Sequence, residues 1–286
     1  MSVGTGIRDV IEAATRTLAH AGIDSARVDA ELLAAHAAGI DRGRLAMLDP
    51  SDDFIARYDD LVEARSRRIP LQHLTGSAPF GAESLTVGPG VFIPRPETEA
   101  LLEWAMKAVG AQSHPRIIDL CTGSGALAVA LAHHRPQATV IAVDDSSAAL
   151  RYAGLNATGT SIRLVEADVT DPGLLPELDG SLDLLVANPP YIPDGAVLDP
   201  EVAEHDPHHA LFGGPDGMRV IESIAVLAGR WLRPGGQLGI EHDDTTSAAT
   251  VELLERTGWF SDIEARRDLT GRPRFVTAVR DGEGKS

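Results

Sequence analysis

The sequence has a single cysteine, Cys121, in 286 residues. That excludes an internal disulfide and any metal site built from several thiolates. It also has no apolar run near the roughly 20 residues that cross a bilayer. The first nine residues lack the basic-then-apolar order of a signal peptide. A cytoplasmic protein with no membrane partner is the expectation. Positive charge is scarce: 25 Lys and Arg stand against 42 Asp and Glu, a formal net charge of −17. Such a field repels phosphate backbones unless a local basic patch overrides it. Only two short basic groups exist, Arg65, Arg67 and Arg68, and Arg266, Arg267, Arg272 and Arg274. Both read as solvated faces, so no direct nucleic-acid contact is expected. The acidity suits a basic partner surface. Repeats and low-complexity tracts are missing, and only the tail from Asp281 reads as disordered.

What remains is an ordinary globular balance, 43% hydrophobic and 23% charged, enough for one large domain or two unequal ones. Residues 1–75 read as a small helical bundle. Ile7, Val10, Ile11, Ala14 and Leu18 recur at helical spacing. A second helix, capped by Asp24 or Ser25 and stopped by Gly39, puts Val28, Leu32 and Ala35 on one face. A third carries Phe54, Tyr58, Leu61 and Val62. Residues 76–94 are punctuated by Gly and Pro around short extended runs, the texture of a hairpin linker. From residue 95 to 286 the pattern changes again. A helix opens at Pro96, then short apolar runs alternate with helices. The strands expected are 116–120, 139–143, 162–165, 182–187, 237–241, 263–267 and 275–279. Alternation of this kind implies a parallel sheet covered on both faces, with the last pair as an antiparallel edge hairpin.

Four motifs carry chemistry. Asp119 precedes the turn Cys121-Thr122-Gly123-Ser124-Gly125, which follows a strand and opens a helix. Its glycines let a ligand approach the backbone. The G-x-G-x-x-G spacing of dinucleotide sites is not met, and a carboxylate at Asp119 suits a cationic sulfonium or ammonium better than a pyrophosphate. Asp144 ends the next strand, where an acidic residue reaches a ribose diol or caps the following helix. Asp168 follows the third strand and either accepts from an adenine amino group, with Val169 beside the ring, or closes a turn. Asn188-Pro189-Pro190-Tyr191 follows the fourth strand. The proline pair ends strand and helix alike and leaves a rigid, extended segment at the ligand edge. The Asn188 side chain and the Pro189 carbonyl can each accept one N–H of a substrate NH2, and Tyr191 can pack on a planar group. Those features fit methylation of a weakly nucleophilic nitrogen by positioning and fixed dipoles.

The Asn-Pro-Pro-Tyr segment resembles the motif of amino-methyltransferases that act on adenine N6 or glutamine N5. A second stretch separates these. Gln72-His73-Leu74-Thr75-Gly76, Phe80 and the run Phe92-Ile93-Pro94-Arg95-Pro96-Glu97-Thr98-Glu99 closely resemble the release factor glutamine methyltransferase family of HemK/PrmC type. The resemblance spans nearly the whole chain. It implies a Rossmann-like, seven-stranded class I methyltransferase domain behind a helical substrate-docking domain. It implies S-adenosylmethionine as cofactor, S-adenosylhomocysteine as product and class 1 peptide release factors as the protein partner. It further implies that Asp119, residues 121–125, Asp144, Asp168, Val169 and Asn188 contact the cofactor, that residues 188–191 hold the glutamine, and that Asn188, Pro189 and Tyr191 form the catalytic set. Cys121 departs from the wider pattern, which has glycine there, and Val169 replaces an aromatic of some relatives. Two rivals stand beside this reading: an adenine-N6 methyltransferase on DNA or RNA, and a non-catalytic protein that senses the cofactor. The acidic and histidine-rich stretch 201–209 reads as a loop over the pocket, with no metal expected. Glu241-His242-Asp243 reads as a pocket wall.

Overall fold

A computed structural model describes residues 6–110, 112–268 and 270–282. Most of the tail expected from Asp281 lies outside them. The chain divides into two compact units, Met1–Ser77 with Leu198–His205, and Ala78–Val197 with Asp206–Ser286.

The smaller unit contains helices α1 (Ile7–His20), α2 (Ala26–Ala38), α3 (Asp52–Ser66) and α4 (Leu71–Thr75), joined by a late helix at Pro200–His205. Along α1 the expected stripe is the buried one, Ile7, Ile11, Ala14 and Leu18. Gly39 ends α2 in the left-handed conformation, φ 65°, as its position suggested. The face of α2 differs from expectation. Val28 is 41% exposed, whereas Ala30, Leu33 and Ala34 are fully buried. Alanine occupies so much of this helix that hydrophobic spacing cannot choose a face, and a buried ion pair does. Asp29 accepts from Arg65 Nε at 2.7 Å, and Arg65 Nη1 donates to Glu201 Oε2 at 2.7 Å. Arg65 is thus buried and not on the solvated face expected for it, while Arg67 pairs with Glu63 at the surface and Arg68 donates to the Gly22 carbonyl.

The larger unit opens with a two-stranded sheet, β1 (Ser77–Phe80) and β2 (Glu83–Thr86), turning at Gly81 with φ 57°. Phe80 and Leu85 enter the same core cluster as Leu101 and Leu127, so the hairpin packs as part of this unit. The run 91–93 forms no strand. There follow α5 (Thr98–Ala108), β3 (Arg116–Leu120), α6 (Ala126–His134), β4 (Thr139–Asp144), α7 (Ser147–Asn156), β5 (Arg163–Glu166) and β6 (Leu182–Ala187). Next come α8 (Pro200–His205, in the smaller unit), α9 (Arg219–Trp231), β7 (Leu232–Glu241), α10 (Ser247–Thr257), β8 (Phe260–Arg267) and β9 (Pro273–Arg280). Two expectations are corrected here. The helix expected from Pro96 begins at Thr98, and the stretch expected as a loop forms α8 and a 3-10 turn at His208–Ala210.

The sheet order is β5-β4-β3-β6-β7-β9-β8. Strands pair parallel from β5 through β7, and β9 runs antiparallel to β7 and β8. Alternate residues serve opposite faces, as strand geometry demands. Ile118, Ile141 and Leu185 join α9 residues Ile221 and Ile224 in one cluster, and Ile117, Val140 and Leu184 join Leu101 and Leu127 in another. The chain steps from β3 outward to β5 and then returns to lay β6 on the other side of β3. Ligands of open α/β sheets bind where the order reverses in this way, at the carboxyl ends of the strands. The turn after β3 and the proline pair after β6 both sit there.

Candidate active site

A cavity of about 450 Å3 opens at this edge, lined among others by Cys121, Asp144, Asp168, Val169, Pro190 and Phe212. Its size suits a nucleoside-sized ligand. The five-residue turn meets the cavity at Cys121, and three of its positions take left-handed backbone: Cys121 at φ 57°, Gly123 at φ 57° and Gly125 at φ 84°. Glycine adopts this freely, while Cys121 pays a steric penalty of about 1 kcal/mol. A side chain at Gly123 would meet nothing within 4 Å, so the space over that residue is open. Ser124 is buried and its carbonyl accepts from Asn156 Nδ2 at 2.9 Å.

Asp119 lies behind the turn, 1% exposed. Its Oδ2 accepts from Thr122 Oγ1 at 2.5 Å and from the Ala128 amide at 3.2 Å, at the start of α6. Its Oδ1 is buried with no hydrogen-bond partner. Burial pushes its pKa up to about 7, against the pull of those two donors. Asp144 lies one strand over. It accepts from the Gly123 amide at 2.8 Å and the Ser146 amide at 3.0 Å. Helix α7 is capped by the Ser146 hydroxyl, which accepts from Ala149 N, so Asp144 serves the glycine turn instead. Burial raises its pKa as well. Asp168 is exposed and its Oδ1 accepts from both the amide and the hydroxyl of Thr170, which lowers its pKa. Val169 is buried in the core cluster of the adjacent sheet face.

After β6, Asn188 Nδ2 donates to Thr98 Oγ1 at 3.1 Å. Tyr191 donates its hydroxyl to Glu241 Oε1 at 3.2 Å. Burial beside Glu241 holds the phenol protonated by raising its pKa. Glu241 is 1% exposed, and burial lifts its pKa to about 7 while Thr98, Arg274 and Tyr191 pull it down. Its Oε2 is buried without a hydrogen-bond partner. A loop returns over this segment: Ile192 N donates to the Leu211 carbonyl and Gly213 N to the Ile192 carbonyl, each at 2.9 Å. A Cβ on Gly213 would stand 2.5 Å from the Pro190 oxygen, and one on Gly217 would stand 2.2 Å from the Tyr191 oxygen. Two glycines thus let the loop lie directly against the backbone of Pro190 and Tyr191.

Among curated proteins, the release factor glutamine methyltransferase of Mycolicibacterium smegmatis is 65% identical over 96% of this chain and 98% of its own length. The chain belongs to the release factor glutamine methyltransferase family. The namesake from Mycobacterium tuberculosis H37Rv is 63% identical over 96% of this chain and 92% of its own. Residues 9–76 match the PrmC N-terminal domain and residues 89–205 the methyltransferase small domain. A solved methyltransferase from Pyrococcus furiosus shares the fold, with TM-score 0.50 and 17% identity over 70% of this chain and 89% of that one.

For this methyltransferase the cavity gathers Cys121, Asp144, Asp168, Val169 and Pro190, while Asp119, Thr122 and Ser124 stand buried behind them. Sequence reading missed Thr98, Gly213, Gly217 and Phe212. Thr98 had a signal, since it lies inside the Pro94–Glu99 run, but no spacing reveals a partner 90 residues away. Phe212 lines the cavity, stacked on His208 at 4.2 Å between ring centroids, so an aromatic surface reaches the pocket from a loop and not from position 169. His242 is fully buried, with its pKa lowered by burial and Nδ1 at 2.9 Å from the Asp243 carbonyl oxygen. No cluster of three or more metal-ligating side chains occurs among the described residues.

Proposed function

We propose that the enzyme transfers the methyl group of S-adenosylmethionine to the side-chain amide nitrogen, N5, of the glutamine in the Gly-Gly-Gln tip of class 1 peptide release factors. The observation that carries this is the Asn188–Thr98 hydrogen bond. It commits the Asn188 NH2 to Thr98 and leaves Oδ1 as an acceptor at the ligand edge. An amide NH2 has two N–H groups to place. Asn188 Oδ1 takes one and the Pro189 carbonyl takes the other, with Tyr191 against the amide plane. Fixing both hydrogens turns the nitrogen toward the incoming carbon and opposes the resonance that makes it a weak nucleophile. The nitrogen–carbon bond forms as the carbon–sulfur bond breaks, and the nitrogen then loses its proton to water. S-adenosylhomocysteine leaves.

The cofactor supplies an electrophilic methyl on a cationic sulfur. The residues present fit it. Asp119 Oδ1 is an unsatisfied buried acceptor behind the turn, Gly123 leaves open space, and Asp144 and Asp168 bring acceptors to the cavity wall. In this reading Cys121, Thr122, Gly123, Ser124 and Gly125 cradle the cofactor, Asp144 holds its ribose, and Asp168 with Val169 its adenine. Asp144→Asn keeps the shape and removes the charge. Cofactor affinity by calorimetry falls about tenfold to a hundredfold; an affinity within twofold of wild type excludes Asp144 from the ribose site.

The helical N-terminal unit, residues 1–75 in the sequence reading, serves as the docking module, and the enzyme acts in the cytoplasm. Direct nucleic-acid binding is disfavoured by the net charge and by the burial of Arg65 against Asp29. The test is transfer from labelled S-adenosylmethionine to purified release factor with its tip glutamine intact or changed to alanine. Label on the intact factor alone supports the reading. Label on nucleic acid and none on the factor means adenine chemistry.

A further inference from the structure

The candidate active site contains a buried carboxylate that the methyl-transfer reading does not use. Glu241 ends β7, whose parallel register with β6 pairs Ile240 with Ala187 and so sets Glu241 beside Asn188. Both neighbours of the amide clamp lead to it. Tyr191 donates to Oε1, and Thr98, which holds Asn188 Nδ2, is near enough to favour the anion. Thr98 is itself 4% exposed. The remaining oxygen, Oε2, is buried with nothing donated to it.

The geometry points to Glu241 as the positioning residue that sets which end of the Asn188 amide faces the substrate, acting through Thr98. This rests on the amide-clamp reading above. The logic is one of donors and acceptors. A carboxylate only accepts, and a hydroxyl has one proton. Once Thr98 turns that proton to Glu241 Oε2, only its lone pairs remain for Asn188. They must be met by the Asn188 NH2, so Oδ1 is left for the substrate. Oε2 has no donor in the free enzyme, and the Thr98 proton closes on it as substrate binds, since catalytic hydrogen bonds are often incomplete before the complex forms. Without the carboxylate, Thr98 can instead donate to Asn188, and the amide turns over to present NH2 to an NH2. Tyr191 is anchored by the same carboxylate, so both walls of the clamp share one origin.

The groups facing Glu241 are Thr98 and Glu97 at the start of α5, Tyr191 after β6 and Arg274 on β9. Arg274 also lies 3.6 Å from carboxylate oxygens of Asp244 and Asp268. Of these, Arg274 and the two hydroxyls favour the anion, and Glu97 opposes it. The ionised form therefore prevails above about pH 7; below it the protonated form carries its own O–H on one oxygen and no longer offers a free acceptor to each of Tyr191 and Thr98.

The experiment compares wild type, Glu241→Gln, Thr98→Val, Thr98→Ser and the double variant Thr98→Val/Glu241→Gln. It measures kcat and KM for release factor, cofactor affinity, and rate against pH. Glu241→Gln and Thr98→Val each lower kcat about tenfold to a hundredfold with cofactor affinity within about twofold. Thr98→Ser restores most of the rate. The double variant is no slower than the slower single one, because both break one chain of contacts. The wild-type rate rises through pH 7 and the Glu241→Gln rate does not. Should Glu241→Gln fail to fold, the Thr98 pair reads the same link. Thr98→Val at a near wild-type rate, or losses that multiply in the double variant, overturns the inference while the clamp reading stands. A wild-type enzyme that labels no release factor overturns both.

Discussion

Asn188→Ala lowers the single-turnover rate of methyl transfer to release factor by about 10²–10³-fold at saturating cofactor, the loss seen when one preorganised polar contact is removed from a reacting group. Two contacts vanish together. The substrate loses an acceptor for one N–H, and the Thr98 hydroxyl loses the amide it holds at 3.1 Å. Pro189 still offers its carbonyl, so the glutamine enters but rotates about the remaining bond. Binding of the factor therefore weakens little and the chemical step carries the loss. Cofactor affinity falls much less than the rate, because the Asp144 and Asp168 carboxylates and Cys121 still line the cavity. Asn188 is also only partly buried, so the melting temperature moves by few degrees. Quenched-flow transfer of labelled methyl measures the step directly. A rate within threefold of wild type would remove Asn188 from the amide clamp.

Gly217→Ala strikes the same segment from the other side. Its new Cβ would lie 2.2 Å from the Tyr191 carbonyl oxygen, on a residue with φ 76°. Backbone does not yield as a side-chain tip does, so either the loop or residues 190–191 must move. The left-handed conformation costs about 1–2 kcal/mol and the forced shift another 1–3 kcal/mol. A loss of about 3 kcal/mol lowers the melting temperature by roughly 6–12 °C. The rate falls about 10²-fold even at low temperature, because displacement of Tyr191 by an ångström spoils the orientation of the amide. Gly195→Ala is the control. Gly195 has φ 82° with nothing within 4 Å of an added Cβ, so it carries the backbone cost without the collision. It should melt lower by only a few degrees and keep its rate. Equal behaviour of the two variants would show that the close approach at Gly217 does not hold the clamp.

The sequence by itself determined the elements and the ligand edge. Short continuous apolar runs alternating with helices dictate a doubly covered parallel sheet, because each strand must bury both faces. Glycines after β3 and a proline pair after β6 mark that edge because few backbones tolerate either elsewhere. Those signals are local, and local chemistry is what a sequence displays. Tertiary structure decided the rest. It gave α2 its buried face through Asp29 and Arg65, made Ser146 and not Asp144 the cap of α7, and sent Phe212 into the cavity from a loop. It folded Pro200–His205 into a helix where spacing suggested a loop. Above all it set Thr98 against Asn188 and Glu241 against Tyr191. These are pairings between side chains far apart in the chain, and no propensity or period encodes them. They exist because parallel strands end at one edge, and whatever residues stand at those ends must share a single desolvated space.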